Sequence, residues 1–291
     1  MDSFFRLGSF PCPIYCRTRD KTDEHNTSGR AFIETLWRDY ATFLDPDVLQ
    51  RATLNMPAVF WELYVAQALH SSGINLQSQA RTKQNKKGPD LFAINPDVWI
   101  EAVMPEMGYG PDAMQLEKLG VAYEVPVDPV ILRLRNAFET KARLMMEYIQ
   151  AKIVQPEQAT VIAIGGTMIA GIGEALIPRI AKALLGVGDP VLHIGLTTGR
   201  AIDHSIEHRD GVSKKSGIVV KTDPFLDPQY AHISAVIHSA CNWVTHPARP
   251  GTDFTVFYNE NANVKLPQGW LPVCEEYWRE NDQFRSARLE G

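Results

Sequence analysis

Three acidic residues stand where an apolar core would be expected. Glu62 lies in the apolar segment FWELY, Asp90 follows Gly88-Pro89, and Glu101 has isoleucine and alanine as its neighbours. A buried carboxylate costs free energy unless it is paired, hydrogen-bonded or bound to a metal. Carboxylate oxygens are also the ligands that hard divalent cations prefer. Asp90 and Glu101 therefore form a candidate site for one divalent cation, and Glu62 needs a partner.

A helix opening at Pro57 would carry Glu62. Proline is tolerated at the first helical position because the donor it lacks would be unpaired there anyway. Residues 58–69 then follow almost without polar side chains. At about 100° per residue, Glu62 falls on the same face as Val59 and Ala66, so its carboxylate points toward the core. Gly73 is expected to end this helix.

Strand patterns follow the helix and carry the other two acids. Residues 74–80 alternate well enough for a strand, and Asp90 opens a short apolar strand at 91–94. Asn95-Pro96-Asp97 has turn chemistry, so residues 98–103 would return as the second strand of a hairpin. Asp90 would lie at the open end of this hairpin and Glu101 in its middle.

Lys141 is a charged residue on an otherwise apolar helical stripe. A helix is predicted from Val130 to about Ala151, with Leu134, Phe138 and Tyr148 on the stripe. Lys141 is seven residues from both Leu134 and Tyr148, which places the three within about 20° of one another. A buried ammonium needs an anionic partner.

Pro89-Asp90, ten intervening residues and Glu101-Ala102-Val103 resemble the PD-(D/E)xK motif of restriction-endonuclease-like nucleases. The predicted order helix, strand, strand, strand, helix, strand over residues 57–166 is similar to the core of that superfamily, and the resemblance covers roughly the first 60% of the chain. It implies an α/β fold with a restriction-endonuclease-like central mixed sheet flanked by helices. Later apolar runs predict a C-terminal extension of the sheet.

The resemblance also implies roles for the acids. Asp90 and Glu101 would hold Mg²⁺, with Mn²⁺ as the alternative, and Glu62 would join them directly or through water. The chain departs from the motif at Val103, which stands at the lysine position and cannot orient a water molecule. Because several branches of the superfamily carry the lysine on the following helix, Lys141 resembles a migrated active-site lysine. The implied catalytic residues are Glu62, Asp90, Glu101 and Lys141.

Each of these residues also has a structural explanation. Glu62 and Lys141 could form one buried ion pair between two helices. Asp90 could be a turn acceptor, and Glu101 could be an edge-strand acid that faces solvent. The presence of all four residues, in the same order along the chain as in the family, favours the nuclease-type site.

DNA is the expected partner. The net charge is −5 and the pI is near 5.9, which argues against a surface covered with DNA-binding charge. A basic loop beside the site would contact the DNA backbone, although a solvated loop explains the same residues. Its basic side chains are Arg81, Lys83, Lys86 and Lys87.

Further domains are not expected. Residues 1–29 are interpreted as an irregular N-terminal arm and residues 30–291 as a single α/β domain, with a nuclease-like core at about 57–166 and a C-terminal extension at about 167–291. Helices are expected at 31–44, 47–54 and 171–185. Strands are expected at 158–166, 191–196, 217–221, 233–238 and 255–258. His204 and His208 are assigned to a solvated loop, and residues 275–291 to a frayed end.

Composition indicates a soluble globular protein, with 45% hydrophobic and 22% charged residues. The first residues do not resemble a signal peptide, and the longest uncharged run is too short to span a bilayer, so the expected location is cytoplasmic, without a membrane partner. Four cysteines do not form a disulfide framework in a chain of this size. A homo-oligomer is left open.

Three functions are compatible with these patterns. The first is a magnesium-dependent deoxyribonuclease of restriction or defence type. The second is a protein of the same fold that binds nucleic acid without cleaving it. The absence of the motif lysine, which Val103 replaces, indicates this function. The third is a regulatory or assembly subunit whose glycine-rich segment at 165–176 and extended sheet form a protein interface.

Overall fold

The computed structural model describes residues 2–78, 88–114, 127–169, 177–272, 275–281 and 283–288. Within these ranges the chain is an α/β protein with six α-helices, one mixed sheet of eight strands and two small hairpins. The helices are α1 Pro13–Asp20, α2 Glu24–Tyr40, α3 Val48–Leu54, α4 Met56–Ser71, α5 Val127–Gln150 and α6 Arg179–Leu184. The predicted fold class is confirmed.

The central sheet has the order β1-β2-β3-β4-β9-β10-β11-β12. Its strands are β1 Asn75–Leu76, β2 Leu91–Ile94, β3 Val98–Val103, β4 Ala159–Gly165, β9 Ala235–Ser239, β10 Thr255–Tyr258, β11 Glu275–Glu280 and β12 Gln283–Arg288. The neighbours β3, β4 and β9 are parallel, and β2 pairs antiparallel with β3. Every residue of β4 and β9 is buried, as expected for parallel strands covered on both faces.

Alternate side chains of β3 enter two different hydrophobic clusters. Ile100 and Ala102 pack with α4 on one face of the sheet, whereas Trp99 packs with α5 and α6 on the other. Because successive side chains on a strand point to opposite faces, Glu101 shares the face of Trp99 and is directed toward α5.

Helix α4 is buried almost all round. Pro57 lies in its first turn, and the side chain of Asn55 caps the helix by accepting from the backbone N–H of Ala58 at 3.3 Å. Gly73 follows the last turn with a φ of +82°, a conformation that favours glycine. The indole Nε1 of Trp61 donates to the carbonyl of Ala163 at 2.9 Å and ties α4 to β4. The predicted helix is confirmed.

The prediction of an irregular arm at residues 1–29 is wrong. Helix α1 and the start of α2 lie in this range, and Phe4 and Tyr15 are fully buried. The Tyr15 hydroxyl donates to the carbonyl of Phe4 at 2.8 Å. The aromatic side chains bury against α2 through contacts distant in sequence, which no local periodicity reveals.

The prediction of a frayed C-terminal end is also wrong for residues 275–281 and 283–288. These residues form β11 and β12, and Tyr277 stacks on Phe257 with ring centroids 5.0 Å apart. Charged residues flank Tyr277 and Trp278 in β11, and one of them, Glu276, is itself buried, so the high charge of this segment masks a strand.

Two predicted strands lie outside the central sheet. The first hairpin consists of β5 Val187–Ile194 and β6 Ala201–His208, and the second of β7 Gly211–Ser213 and β8 Val219–Lys221. His204 and His208 are exposed as expected, but they lie in β6, so the loop assignment is corrected to a strand. The extension of the sheet is formed by β9 to β12 alone.

None of the described helices combines the length and the apolar character needed to cross a bilayer. Among the cysteines of the described ranges, Cys12, Cys16 and Cys241 are free thiols.

His238 is a buried histidine on β9. Its Nδ1 lies 2.7 Å from the carbonyl oxygen of Ile164, so Nδ1 carries the proton that is donated. Burial lowers the pKa of His238 to about 4, although the hydrogen bond acts in the opposite direction. The folded protein therefore holds this imidazole neutral.

We expect His238 to make the folded state sensitive to acid. The unfolded chain takes up the proton below about pH 6.5, whereas the folded state does so only near pH 4, so stability is lost as the pH falls through this window. Relative to His238→Asn, the free energy of unfolding of the wild type should fall by on the order of 3 kcal/mol between pH 7 and 4. Urea denaturation of both proteins measures this difference. Carboxyl groups with raised pKa values change stability with pH in the opposite direction, but they are present in both proteins and therefore cancel in the difference. A difference that stays constant with pH would contradict the assignment.

Candidate active site

The β2–β3 hairpin brings Asp90 and Glu101 together. Leu91 pairs with Ile100, so the register continued by one residue sets Asp90 opposite Glu101. Directly opposed residues of an antiparallel pair have Cβ atoms about 5 Å apart. The Oδ2 atom of Asp90 accepts from the backbone N–H of Ala102 at 2.7 Å, which fixes its carboxylate beside the strand.

Glu101 is almost fully buried, with 3% of its surface exposed. Its Oε1 lies 2.6 Å from the Nζ of Lys141. Its Oε2 is buried and has no hydrogen-bond partner among the described residues. The interpretation of Glu101 as an acid that faces solvent is therefore wrong, and one of its oxygens is left available.

Lys141 reaches the site from α5, on the face that also carries Phe138 and Met145. The structural explanation in which Lys141 pairs with Glu62 is wrong, because its partner is Glu101. Val103 follows two residues after Glu101 and contacts the same hydrophobic cluster. Helix α5 thus supplies the cation that the strand position lacks.

Glu62 is paired with a residue that sequence reasoning missed. Two guanidinium nitrogens of Arg51 donate to the two carboxylate oxygens of Glu62, at 2.6 and 2.8 Å. Arg51 lies on α3, which Asn55 alone separates from α4, and its Nε is 3.2 Å from Asp47. The only signal in the sequence was the need of Glu62 for a cation, which does not specify the partner.

The cluster is electrostatically crowded. Burial and the charge of Asp90 raise the pKa of Glu62 to about 7, against the effect of Arg51. Burial and Asp90 likewise raise the pKa of Glu101 to about 8, against the effect of Lys141. Burial lowers the pKa of Lys141, but Glu101 and Asp90 outweigh burial, so its pKa lies above the usual value. Lys141 is therefore a cation at neutral pH.

Two of the three acids fit a metal ion in this geometry. Mg²⁺ is commonly held by one or two carboxylates, with water and substrate phosphate completing its shell. Glu101, whose Oε2 has no partner among the described residues, and Asp90, which lies opposite it, are the candidates for such a pair, whereas Arg51 occupies both oxygens of Glu62. In the described ranges, no group of three or more His, Cys, Asp or Glu side chains is placed to hold a metal ion. The donor set therefore fits a site with two carboxylates.

The residues expected to contact DNA lie outside the described ranges, which omit 79–87. This segment includes all four basic side chains of the predicted loop: Arg81, Lys83, Lys86 and Lys87. The structure thus brings Glu62, Asp90, Glu101 and Lys141 into one cluster and adds Arg51 to them.

Comparison of the chain with protein-family models, with curated proteins and with solved structures found no match. The interpretation of the cluster therefore depends on its geometry.

The Arg51–Glu62 pair can be tested with a double-mutant cycle. Arg51→Met and Glu62→Gln should each destabilise the protein, because each leaves a charge without its partner. For Arg51→Met we expect roughly 2 kcal/mol, since a third of its side chain is exposed to solvent. The double variant should lose less free energy of unfolding than the two single variants together. We expect urea denaturation to give a coupling free energy of about 1 kcal/mol or more between the two residues.

Asp47→Asn is the matched control for this cycle. It removes the other partner of Arg51, an acid whose side chain is 61% exposed, and should change stability by less than about 0.5 kcal/mol. If the effects of Arg51→Met and Glu62→Gln are additive, the ion pair contributes nothing to the free energy of unfolding.

Proposed function

We propose that the protein is a magnesium-dependent nuclease that hydrolyses phosphodiester bonds in DNA, built like the PD-(D/E)xK nucleases. The observation that carries the proposal is the contact between Lys141 and Glu101 at 2.6 Å. It brings a lysine from α5 to the acid pair of the β2–β3 hairpin, although Val103 stands at the lysine position of the motif. The element order α4, β1, β2, β3, α5, β4 supports the same assignment.

Asp90 and Glu101 would hold Mg²⁺, or Mn²⁺ in its place. The backbone N–H of Ala102 fixes Asp90, and the contact with Lys141 orients Glu101 so that its Oε2 stays available. When bound, the metal ion would supply a water of lowered pKa and offset charge on the phosphate. Glu62 would contact the metal ion through a water molecule, and Arg51 would hold the Glu62 carboxylate in place.

Lys141 would stabilise charge in the transition state. Its raised pKa keeps it protonated at neutral pH, so it cannot accept the proton of the attacking water. A fixed cation next to the acid pair instead stabilises the negative charge that develops on the phosphate oxygens. The role assigned to Lys141 is therefore electrostatic and positional.

A second candidate function is nucleic-acid binding without cleavage. The observation that favours it is that Glu62 and Glu101 each already contact a cationic side chain, so the cluster does not require a metal ion to offset their charge. The two functions differ in metal binding and in the fate of the DNA.

The nuclease proposal is tested by calorimetric titration with Mg²⁺ and Mn²⁺, followed by incubation of the same samples with plasmid and single-stranded DNA. We expect wild-type protein to bind the metal and cleave DNA, and Asp90→Asn to lose both, because the asparagine keeps an acceptor for the N–H of Ala102 but removes the charge. Asp97→Asn changes an exposed turn acid of the same hairpin and should leave both unchanged. DNA binding without metal binding would favour the second candidate.

The role proposed for Lys141 is tested by moving the lysine from position 141 to position 103. Lys141→Met should lower the cleavage rate about 100-fold or more, as expected for a lost transition-state contact. Val103 points to the same face of the sheet as Glu101, so Val103→Lys combined with Lys141→Met should recover much of the rate. The exposed Lys152 provides the control variant Lys152→Met, for which no change is expected. Unaltered cleavage by a folded Lys141→Met variant would remove Lys141 from the site.

A further inference from the structure

A cavity of about 780 Å³ opens where β9 ends and β10 begins. This volume lies within the range of small-molecule sites. In the sheet register His238 of β9 pairs with Ile164, whereas Glu101 pairs with Ile162, so β4 separates the cavity from the carboxylate cluster. The lining contains no residue of that cluster.

The charged groups of the cavity lining are acidic. Asp253 and Glu275 contribute carboxylates, and no lysine or arginine is found among the described lining residues. Neither carboxylate forms an ion pair with a described cationic side chain. A cavity of this kind repels phosphates and attracts a positively charged ligand.

Asp253 is held in a fixed position by a hydrogen-bond network. The hydroxyl of Tyr64, on α4, donates to its Oδ1 at 2.7 Å, and the hydroxyl of Ser239 donates to its Oδ2. The backbone N–H of Cys241 donates to the Ser239 hydroxyl oxygen at 2.9 Å. These are neutral donors, so they fix the orientation of the carboxylate without forming an ion pair with it.

His238 adds a second, independent feature. Its side chain lines the cavity although the residue is only 9% exposed, and its Nδ1 is engaged by the carbonyl of Ile164. Because Nδ1 carries the proton, Nε2 is an acceptor, and no described group donates to it. Nε2 can therefore accept a hydrogen bond from a donor that enters the cavity.

We propose that this cavity binds a small organic cation that carries N–H donors, such as a primary ammonium or a guanidinium group. Glu275 and Asp253 provide the negative charge, and His238 Nε2 accepts one hydrogen bond. Tyr277 also lines the cavity, and its ring is held there by stacking on Phe257 and Phe284. The site does not depend on the proposed nuclease function.

Calorimetric titration of the full chain with agmatine and with putrescine tests the proposal. We expect at least one to bind with a Kd below about 1 mM. The neutral 1,4-butanediol and inorganic phosphate serve as comparison ligands and should not bind. Absence of binding by both cations, or equal binding of the diol, would overturn the proposal.

Variants locate the binding in the cavity. Glu275→Gln should weaken binding about tenfold, the change expected when about 1.4 kcal/mol is lost. Glu280→Gln, on the same strand but outside the cavity, is the matched control and should bind like the wild type. Asp253→Asn keeps an acceptor for Tyr64 and provides a second test, with circular dichroism to establish that each variant is folded. Unchanged affinity in both cavity variants would place the ligand elsewhere.

The same chemistry can come from a free amine or from the side chain of a protein partner. An acetylated and amidated Gly-Arg-Gly peptide, compared with agmatine, distinguishes these sources. Tighter binding of agmatine indicates a free small molecule, and tighter binding of the peptide indicates an arginine side chain. Either result supports a cation site, provided that Glu275→Gln weakens it.

Discussion

Mutual repulsion among three carboxylates is the constraint that organises this protein. Glu62 and Glu101 are buried near Asp90, and burial together with the charge of Asp90 raises the pKa of both. Among the described residues, two cations offset this repulsion and come from different helices, Arg51 from α3 and Lys141 from α5. The charges therefore fix how α3, α4 and α5 sit against the β2–β3 hairpin, in addition to any chemistry they perform. Burying these charges costs desolvation free energy, which their ion pairs offset.

The same cluster admits a structural and a catalytic interpretation, and its asymmetry distinguishes them. Glu62 is satisfied on both oxygens by one guanidinium, as in a structural ion pair. Glu101 is satisfied on one oxygen only. A buried carboxylate oxygen without a donor is costly in a purely structural site. The proposed metal site beside Glu101, and the proposed supporting role of Glu62, depend on this asymmetry.

Much of this arrangement could be predicted from local pattern. Helical periodicity placed Glu62 and Lys141 on inward faces, and the structure buries both wholly or largely. For Glu101 the sequence left open a position that faces solvent, and the structure buries it. Partner choice could not be predicted, because Arg51 meets Glu62 only through the tight connection between α3 and α4. Burial of Phe4 likewise depends on long-range packing. The strands at 275–280 and 283–288 could not be predicted, because a highly charged strand resembles a solvated tail when its neighbours in the sheet are not known.

The two hairpins lie outside the sheet that carries the site. Strands β4 and β9 pair directly, so the described residues between them form an insertion that adds no strand to the sheet. The β5–β6 hairpin nevertheless exposes large apolar side chains, among them Leu192, Leu196 and Ile202. A lone two-stranded hairpin has little stability of its own. Changes confined to the β5–β6 hairpin should therefore leave the pairing of β3 with β4, and with it the position of Glu101, unaltered.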